Sequence, residues 1–546
     1  MGTKNFDNAL DLITFSRTSR GTALRRVGYG DELVTNGTFD TDISGWTLGA
    51  DATASVSSGI VTVTNSSYIT QSLYQEFPTE IGAFYEITAT ALSSNLASSF
   101  VIANKGGFTW SASGGTRQDV ISGHANTTKT ITYAATTNSI RITLLAYNNV
   151  GGYAEFDNIS VKEVIFDRAT DPLVLFNHPA EIPRIEYDAA GAVKGLLIEE
   201  ARTNLLTYSQ DFTNVYWTKG GDAAALVVDA IGPDGETSAV TLVDNSTGGS
   251  GTNLNVLRSV IVATSTAYTL SVFVKSSGLN WINITIASFT TPGTSRAYFD
   301  TANGVIGSVD AGFSDSTIEN YGNGWYRCSV TFTTDVSDTV GQIYIAAASA
   351  DGNVSVDLDG TSSILIYGAQ FEAGSFPTSY IPTSGNTVTR AADVASISVS
   401  AFGYNQGVGS LVVEANPIPV GSGFGAKIIV DISNGGVDSQ ISLINENSDR
   451  CRLILDPEAT TNDVDITVVG AEGSLMYAAA WKLNSTNAAH GGILGAEDTS
   501  NVPIKNATQV TLSSDANGNG KFSGHIKSIQ YYPRRLSNAQ LQELTS

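Results

Sequence analysis

The chain has 546 residues, 42% hydrophobic and only 15% charged, with 54 glycines. This composition fits three or four globular domains, each able to bury its own core, and excludes a disordered chain. A net charge of −23 repels phosphate backbones and argues against nucleic acid as a partner.

The N-terminal stretch "MGTKNFDNALDLITFSRTSRG" has no apolar core of a signal peptide, so synthesis and maturation in a cytoplasm are expected. No run of about 18 apolar residues follows, so no membrane insertion is expected. Residues 1–30 concentrate positive charge in an acidic chain, at Arg17, Arg20, Arg25 and Arg26. Such an arm can dock on an acidic surface or remain solvated and poorly ordered.

Beyond it the strand signal is repeated. "GIVTVTN", "FYEITATAL", "SIRITLLAY", "AYTLSVFVKSS", "WINITIAS", "WYRCSVTFTT", "QIYIAAAS" and "SLVVEA" are β-branched or aromatic runs bounded by Gly, Asn or Ser. Their spacing is that of β-sandwiches, not of alternating strands and helices. Two stretches read as copies of one module. "NGTFDTDISGWT" and "YSQDFTNVYWTK" each place a Phe shortly before a Trp, and each leads to a Tyr-led strand at Tyr85 and Tyr268. The expected domains are sandwiches over 31–165 and 203–383, with the repeat itself ending near 376. Trp46, Trp217 and Trp325 hold repeated positions and read as core.

Between the copies, residues 166–202 read as an extended linker. Pro172, Pro179 and Pro183 enforce extended backbone, Asp188 to Gly191 forms a turn, and "KGLLIEE" is a strand or short connector. The leader words "TFSRTSR" and "IFDRATD" share F-x-R-x-S/T, so the first sandwich reads as an insertion into a leader that resumes after it. "AGSFPTSYIPTSG" cannot be helical and is a poor central strand. It reads as a strap along a domain surface, pinned by Phe376 and Tyr380. Residues 384–546 form a third sandwich. Its closing "RRLSNAQLQELTS" is the clearest helix, capped by Ser537 with Leu541 and Leu544 on one face. The fold class is therefore all-β: tandem jelly-roll β-sandwiches joined by extended linkers, with a short C-terminal helix.

Chemistry-bearing patterns are sparse. Cys328 and Cys451 lie in strand-like sequence and read as buried free thiols. His124, His178, His490 and His525 belong to no ligand pattern and read as loop or surface residues. No G-x-S-x-G elbow occurs. Glu155-Phe-Asp157 lacks the third acid of an E-x-D-x-x-E glycanase strand, so no enzyme is expected. "DANGNG" (Asp515 to Gly520) begins like a calcium loop, but its twelfth position is Ile526 rather than a bidentate Glu, and a β-turn is the better reading. For sugars, aromatic faces stack on apolar ring faces while amides and acids take hydroxyls. Phe108 and Trp110, in the glycine-flanked "NKGGFTWSASGG", are the candidate glycan-binding pair; the other reading makes Trp110 a core residue.

Several phrases carry a family resemblance. "FSRTSRGT", "PRIEYDAAGAVKGLLIEEARTNLLTYSQDF", "GNGWYRCSVTF", "YGAQFEAGSFPTSYIPT" and "VTRAAD" resemble tailed-bacteriophage virion proteins of the tail or head fibre type, over most of 1–30 and 166–400. Residues 33–165 resemble a carbohydrate-binding module, and 400–546 a concanavalin-like or laminin-G-like lectin domain. The resemblance implies a virion structural protein at the virion surface, a tail fibre or receptor-binding protein for host attachment. Its implied partners are other virion proteins of the tail or capsid and a host cell-surface glycan. It also implies a homotrimer, and a docking role for Arg17, Arg20, Arg25 and Arg26. The alternative is a head fibre or capsid decoration protein with weak glycan adhesion; a glycan-degrading tailspike ranks third for want of an acid pair. No cofactor is required. In carbohydrate modules of this type a structural calcium joins an acid near the first strand to an Asp in the last, and Asp40 and Asp157 match those places; the other reading leaves both acids solvated.

Overall fold

The computed structural model describes residues 12–546 except 51, 66–72, 95–97, 105–117, 124–126, 147–150, 419–426, 437–438, 448–449, 458–463, 471–473 and 505. The period-2 patterns become strands with one face inward. In Ile60–Asn65 alternate side chains are buried, at Val61, Val63 and Asn65, and Phe84–Ser94 buries Tyr85, Ile87, Ala89 and Ala91 in the same way. Each of the eight runs named above contributes a strand. The capping box forms as the helix signal requires: the Ser537 hydroxyl accepts from the Gln540 amide, and Asn538–Thr545 is helical. Leu541 is fully buried and Leu544 packs beside it.

The chain divides into two compact units. One is Arg26–Pro172; the other joins residues 1–25 to 173–546. The first module is thus flanked on both sides by chain of the larger unit, as the repeated leader word indicates.

In the smaller unit, one sheet orders Thr127–Ala134, Phe84–Ser94, Tyr153–Phe166 and the later part of Gly21–Glu32, with the hairpin Ala52–Ser57 and Ile60–Asn65 attached. The facing sheet orders Thr47–Leu48, Leu73–Pro78, Ser139–Ala146, Ser98–Asn104 and Gln118–Gly123. Phe39, Trp46, Ile87, Ile142 and Phe156 lie in the core between them.

The larger unit holds two sandwiches. The one matching the second module has two six-stranded antiparallel sheets, with Trp217, Val272, Ile284, Val330 and Phe371 between them. The module repeat is real at the level of single bonds. Phe39 and Trp46 rings lie 5.3 Å apart, tilted by 40°, and Phe212 and Trp217 lie 5.0 Å apart, tilted by 42°. The Trp46 indole donates to the Asn36 carbonyl and that of Trp217 to the Tyr208 carbonyl. The Tyr85 hydroxyl accepts from the Glu80 amide and the Tyr268 hydroxyl from the Ala263 amide, each five residues upstream.

The last sandwich recruits chain from far outside 384–546. One seven-stranded sheet begins with Ile13–Ser16, paired antiparallel with Val394–Ser398 so that Phe15 faces Ala395. The other begins with the hairpin Arg184–Tyr187 and Val193–Ile198, whose Leu196 faces Ile526 on the strand Gly524–Tyr532. Leu196 and Ile198 are buried in the same core as Val413, Leu453 and Trp481. Two expectations are corrected here. Of the arm read over 1–30, residues 13–16 are a sheet strand and residues 1–11 lie outside the described residues. Much of the linker read over 166–202 is a structural hairpin. The reason is burial: in "KGLLI" the apolar run fills a core face that residues 384–546 leave open. Gly195 permits the fit, because at φ 126° a Cβ there would stand 2.6 Å from the Ile526 carbonyl oxygen.

The strap is also corrected. It is extended and non-helical as its prolines require, but Thr378, Ser379, Tyr380, Ile381 and Thr383 are all buried rather than on a surface. It covers the outer face of Ala267–Ser276, where Phe273 meets Tyr380 edge-on at 5.7 Å. That strand is consequently buried on both faces. A buried segment outside a ladder must satisfy its backbone by other means, and side chains supply them. Glu372 accepts from the Thr378 amide, Glu199 from the Ser379 amide and Gln370 from the Ile381 amide. Arg327 donates to the Thr378 carbonyl, Thr22 to that of Tyr380 and Asn204 to that of Ile381.

Both cysteines are free and buried. Asp515 to Gly520 is a turn, in which the Asp515 carboxylate accepts from the amides of Asn517 and Asn519. The histidine expectation fails for the three described: His178, His490 and His525 are buried. His490 stacks on Tyr477 at 4.5 Å, and His525 contacts the Glu186 carboxylate at 2.6 Å. His124 lies outside the described residues.

Candidate functional site

Two polar features dominate the larger unit. The first is a buried ionic node. Arg17 sits just past the first strand of one sheet, Arg184 opens the hairpin of the other, and Glu199 closes that hairpin. Arg390 and Asp393 come from the chain just after the strap. Asp393 receives Arg17 at 3.1 Å through one oxygen, and Arg184 at 2.6 Å and the Glu199 amide at 2.9 Å through the other. Glu199 receives Arg184 at 2.9 Å and the Ser379 hydroxyl at 2.6 Å. Arg390 approaches both acids, at 3.6 and 3.8 Å. All five side chains are essentially inaccessible to water. Arg202, Glu200 and Glu372 extend the network and balance it at four cations and four anions.

Burial raises the cost of charging Glu199, but Arg390, Arg184 and the Ser379 hydrogen bonds outweigh it and hold the carboxyl well below its usual range. Burial and the neighbouring Arg184 push the Arg17 guanidinium down to about 10 against the pull of Asp393. Fully desolvated ions of this kind specify one geometry rather than add much net stability.

The second feature is a groove where the hairpin Arg184–Ile198 and the last sandwich meet the strand Asp315–Gly322 of the second module. A cavity of about 600 Å³ there adjoins another of about 440 Å³, and the two share Glu186, Lys194, Glu319, Tyr321 and Asn416 as walls. The Lys194 ammonium lies 3.2 Å from Glu186 and 3.0 Å from Glu319. Burial opposes ionisation of Glu186, yet Lys194 and His525 draw its carboxyl down to about 2. The groove is acidic, amide-bearing and open to water.

The residues singled out from sequence do not converge on either feature as a group. Arg17 is a structural member of the node with no accessible side chain, which corrects its assignment to docking: a guanidinium held by Asp393 inside the fold cannot reach a partner. Arg25 is buried as well. Arg20 donates to the Asn177 carbonyl, and Arg26 to that of Asp171. Asp40 is exposed, and Asp157 is half-buried, accepting from the amide and side chain of Asn158. The two segments that carry these acids meet where the Ile159 amide donates to the Gly37 carbonyl at 3.0 Å. Among the described residues no group of three or more His, Cys, Asp or Glu side chains could hold a metal ion. Phe108 and Trp110 lie outside the described residues.

Sequence reasoning missed Arg184, Glu199, Arg390 and Asp393. A signal existed: in a chain only 15% charged, "PRIEY", "LLIEEARTN" and "VTRAAD" each carry ions within apolar words. Groove residues Glu186, Lys194, Glu319 and Asn416 are scattered over more than two hundred positions and carry no local signature.

No family model matches the chain, and no curated protein sequence matches it. Among solved structures it is similar to the CBM40 module of Ruminococcus gnavus IT-sialidase bound to α2,6-sialyllactose. There the identity is 17% over 27% of this chain and 87% of that chain, with a TM-score of 0.24. It is also similar to the CBM22-1–CBM22-2 tandem of Paenibacillus barcinonensis Xyn10C, at 11% identity over 63% and 98% of the two chains, with a TM-score of 0.22. A third is the LG4-5 pair of the mouse laminin α1 chain, at 10% identity over 65% and 94%, with a TM-score of 0.19.

Proposed function

We propose that this chain is a non-catalytic structural protein of a bacteriophage virion, a tail fibre or receptor-binding protein that adheres to a glycan on the host surface. One observation carries the reading. The phrases that resemble virion proteins, "FSRTSRG", "PRIEY", "LLIEEARTN", "FEAGSFPTSYIPT" and "VTRAAD", all supply members of one buried node or the strap beside it. Residues so used build a rigid frame and leave the loops and grooves of the sandwiches to vary with the host. Rigid sandwiches linked through buried ions suit a protein that must hold a binding surface away from the particle. A homotrimer, virion partners at the N-terminal end and a calcium at Asp40 and Asp157 belong to the same proposal.

The test is competition. Purified full-length chain is added to host cells before phage, and its mass is measured by light scattering coupled to size exclusion. Blocked adsorption by a trimer is the expected result. Undiminished adsorption together with absence of cell binding would overturn the receptor-binding reading, and a monomer that binds isolated capsids would replace it with capsid decoration.

A further inference from the structure

The groove between the second module and the hairpin contains a group the fold does not use. Tyr321 is 8% exposed and forms a wall of both cavities. Its ring is fixed edge-on against Phe273 at 4.9 Å. Burial pushes its phenol pKa upward, so the hydroxyl keeps its proton. No described residue hydrogen-bonds to this hydroxyl, which opens onto the cavity that the ring lines. The exposed side-chain amide of Asn416, which lines the same two cavities, is likewise without a partner among the described residues. A phenol and an amide facing one cavity form a donor and acceptor set with nothing in the fold to satisfy it.

The charges around them select the ligand. Glu186, Asp188 and Glu319 line the groove, and the ammonium of Lys194 is already shared between Glu186 and Glu319. Arg327, in the wall of the second cavity, donates to the Thr378 carbonyl and the Ser271 hydroxyl. Arg327 is the one cation here without a carboxylate partner, but it is 4% exposed, and three carboxylates against one paired ammonium leave the cavity of about 600 Å³ net acidic, which disfavours an acidic ligand. Hydroxyl groups suit the site: they donate to the carboxylates and Asn416, and accept from Tyr321, Asn416 and Lys194. The volume of about 600 Å³ is within the range of small-ligand sites.

We propose that this groove binds an uncharged oligosaccharide through Tyr321, Asn416 and Glu319. The assignment rests on the glycan-adhesion reading and gives it a site and a ligand class.

The experiment applies a glycan array of neutral oligosaccharides and their sialylated counterparts to the full chain, then titrates each binder by calorimetry. The variants are Tyr321→Phe, which keeps the ring, and Asn416→Trp, which fills the groove from an exposed position. Melting temperature checks the fold of each. The expected result is saturable binding of neutral glycans, weakened about fivefold or more by Tyr321→Phe and at least tenfold by Asn416→Trp, with unchanged melting. Neutral-glycan binding that survives both variants would overturn the groove while sparing glycan adhesion. Binding confined to sialylated glycans would overturn the ligand class. Absence of any glycan binding would overturn both the groove and the adhesion reading.

Discussion

Asp393→Asn is the sharpest probe of the ionic node. The substitution preserves shape but removes the charge that faces Arg17 at 3.1 Å and Arg184 at 2.6 Å. The amide can still accept from the Glu199 backbone through one atom, while its new N–H group points at a guanidinium. Arg184 and Arg390 then keep Glu199 as their anion, while Arg17 loses the carboxylate it pairs with. Removing one partner of a buried ion pair costs about 3–5 kcal/mol, because the other charge stays buried without compensation. For a unit of about 400 residues, larger than the domains for which 1 kcal/mol moves Tm by about 2–4 °C, a fall of roughly 5 °C is expected. Calorimetry and guanidinium melts followed by tryptophan fluorescence report it, and the transition of residues 26–172 should not move. The decisive check is a double-mutant cycle. Arg17→Met destabilises the native node, but in the Asp393→Asn background it removes an uncompensated cation and should restore part of the loss. Additive effects, or a loss below about 1 kcal/mol for Asp393→Asn alone, would refute the node as a coupled unit.

Three further outcomes follow from the same structure. Tyr85→Phe and Tyr268→Phe should each cost about 1 kcal/mol by stranding a backbone amide; the first should lower only the transition of 26–172 and the second only that of the larger unit, as resolved by calorimetry. Burial pushes the Asp431 carboxyl from 3.8 up to about 6, with Ser442 and Ser433 opposing the shift. The native state therefore binds this proton more tightly than the unfolded chain, and the associated stability, present below pH about 3.8, is lost as pH rises through about 6. Asp431→Asn should stabilise the protein at pH 8 by up to about 3 kcal/mol and confer no advantage at pH 4 in urea melts; a pH-independent effect would contradict the assignment. Glu199, whose folded pKa is depressed from 4.5, contributes stability present above pH 4.5 and lost as pH falls below it. Glu199→Gln should flatten the acid limb of a stability profile followed by near-ultraviolet circular dichroism, and an unchanged limb would count against the node's role there.

The legible part of this protein was its strands, its repeat and its terminal helix, because each is written in neighbouring residues. Val61 and Val63, or Tyr85 and Ile87, announce a half-buried strand by alternation alone. Phe39 with Trp46 and Phe212 with Trp217 mark the same turn twice because a short segment decides how those rings meet. The node was not legible, since Arg17, Arg184, Glu199, Arg390 and Asp393 span nearly four hundred positions and a charge in sequence reads by default as a solvated surface. The same default made "FSRTSR" look like an arm, and "KGLLIEE" was legible only as either a strand or a short connector, of which the strand is found.

The sequence by itself determined that the chain would form antiparallel sandwiches, that one copy of a module interrupts another segment, and that the proline-rich strap would be extended. Those outcomes follow from periodicity, β-branched side chains and the fixed φ of proline, which act within a few residues. Only the tertiary structure decided that residues 13–16 and 184–198 complete the last sandwich, that the strap is an inner layer, and that Tyr321 and Asn416 line one groove. The physical reason is that a sheet accepts any strand whose apolar face fits its core, and a buried ion accepts any counter-charge that reaches it. Neither condition depends on how far apart the partners lie along the chain.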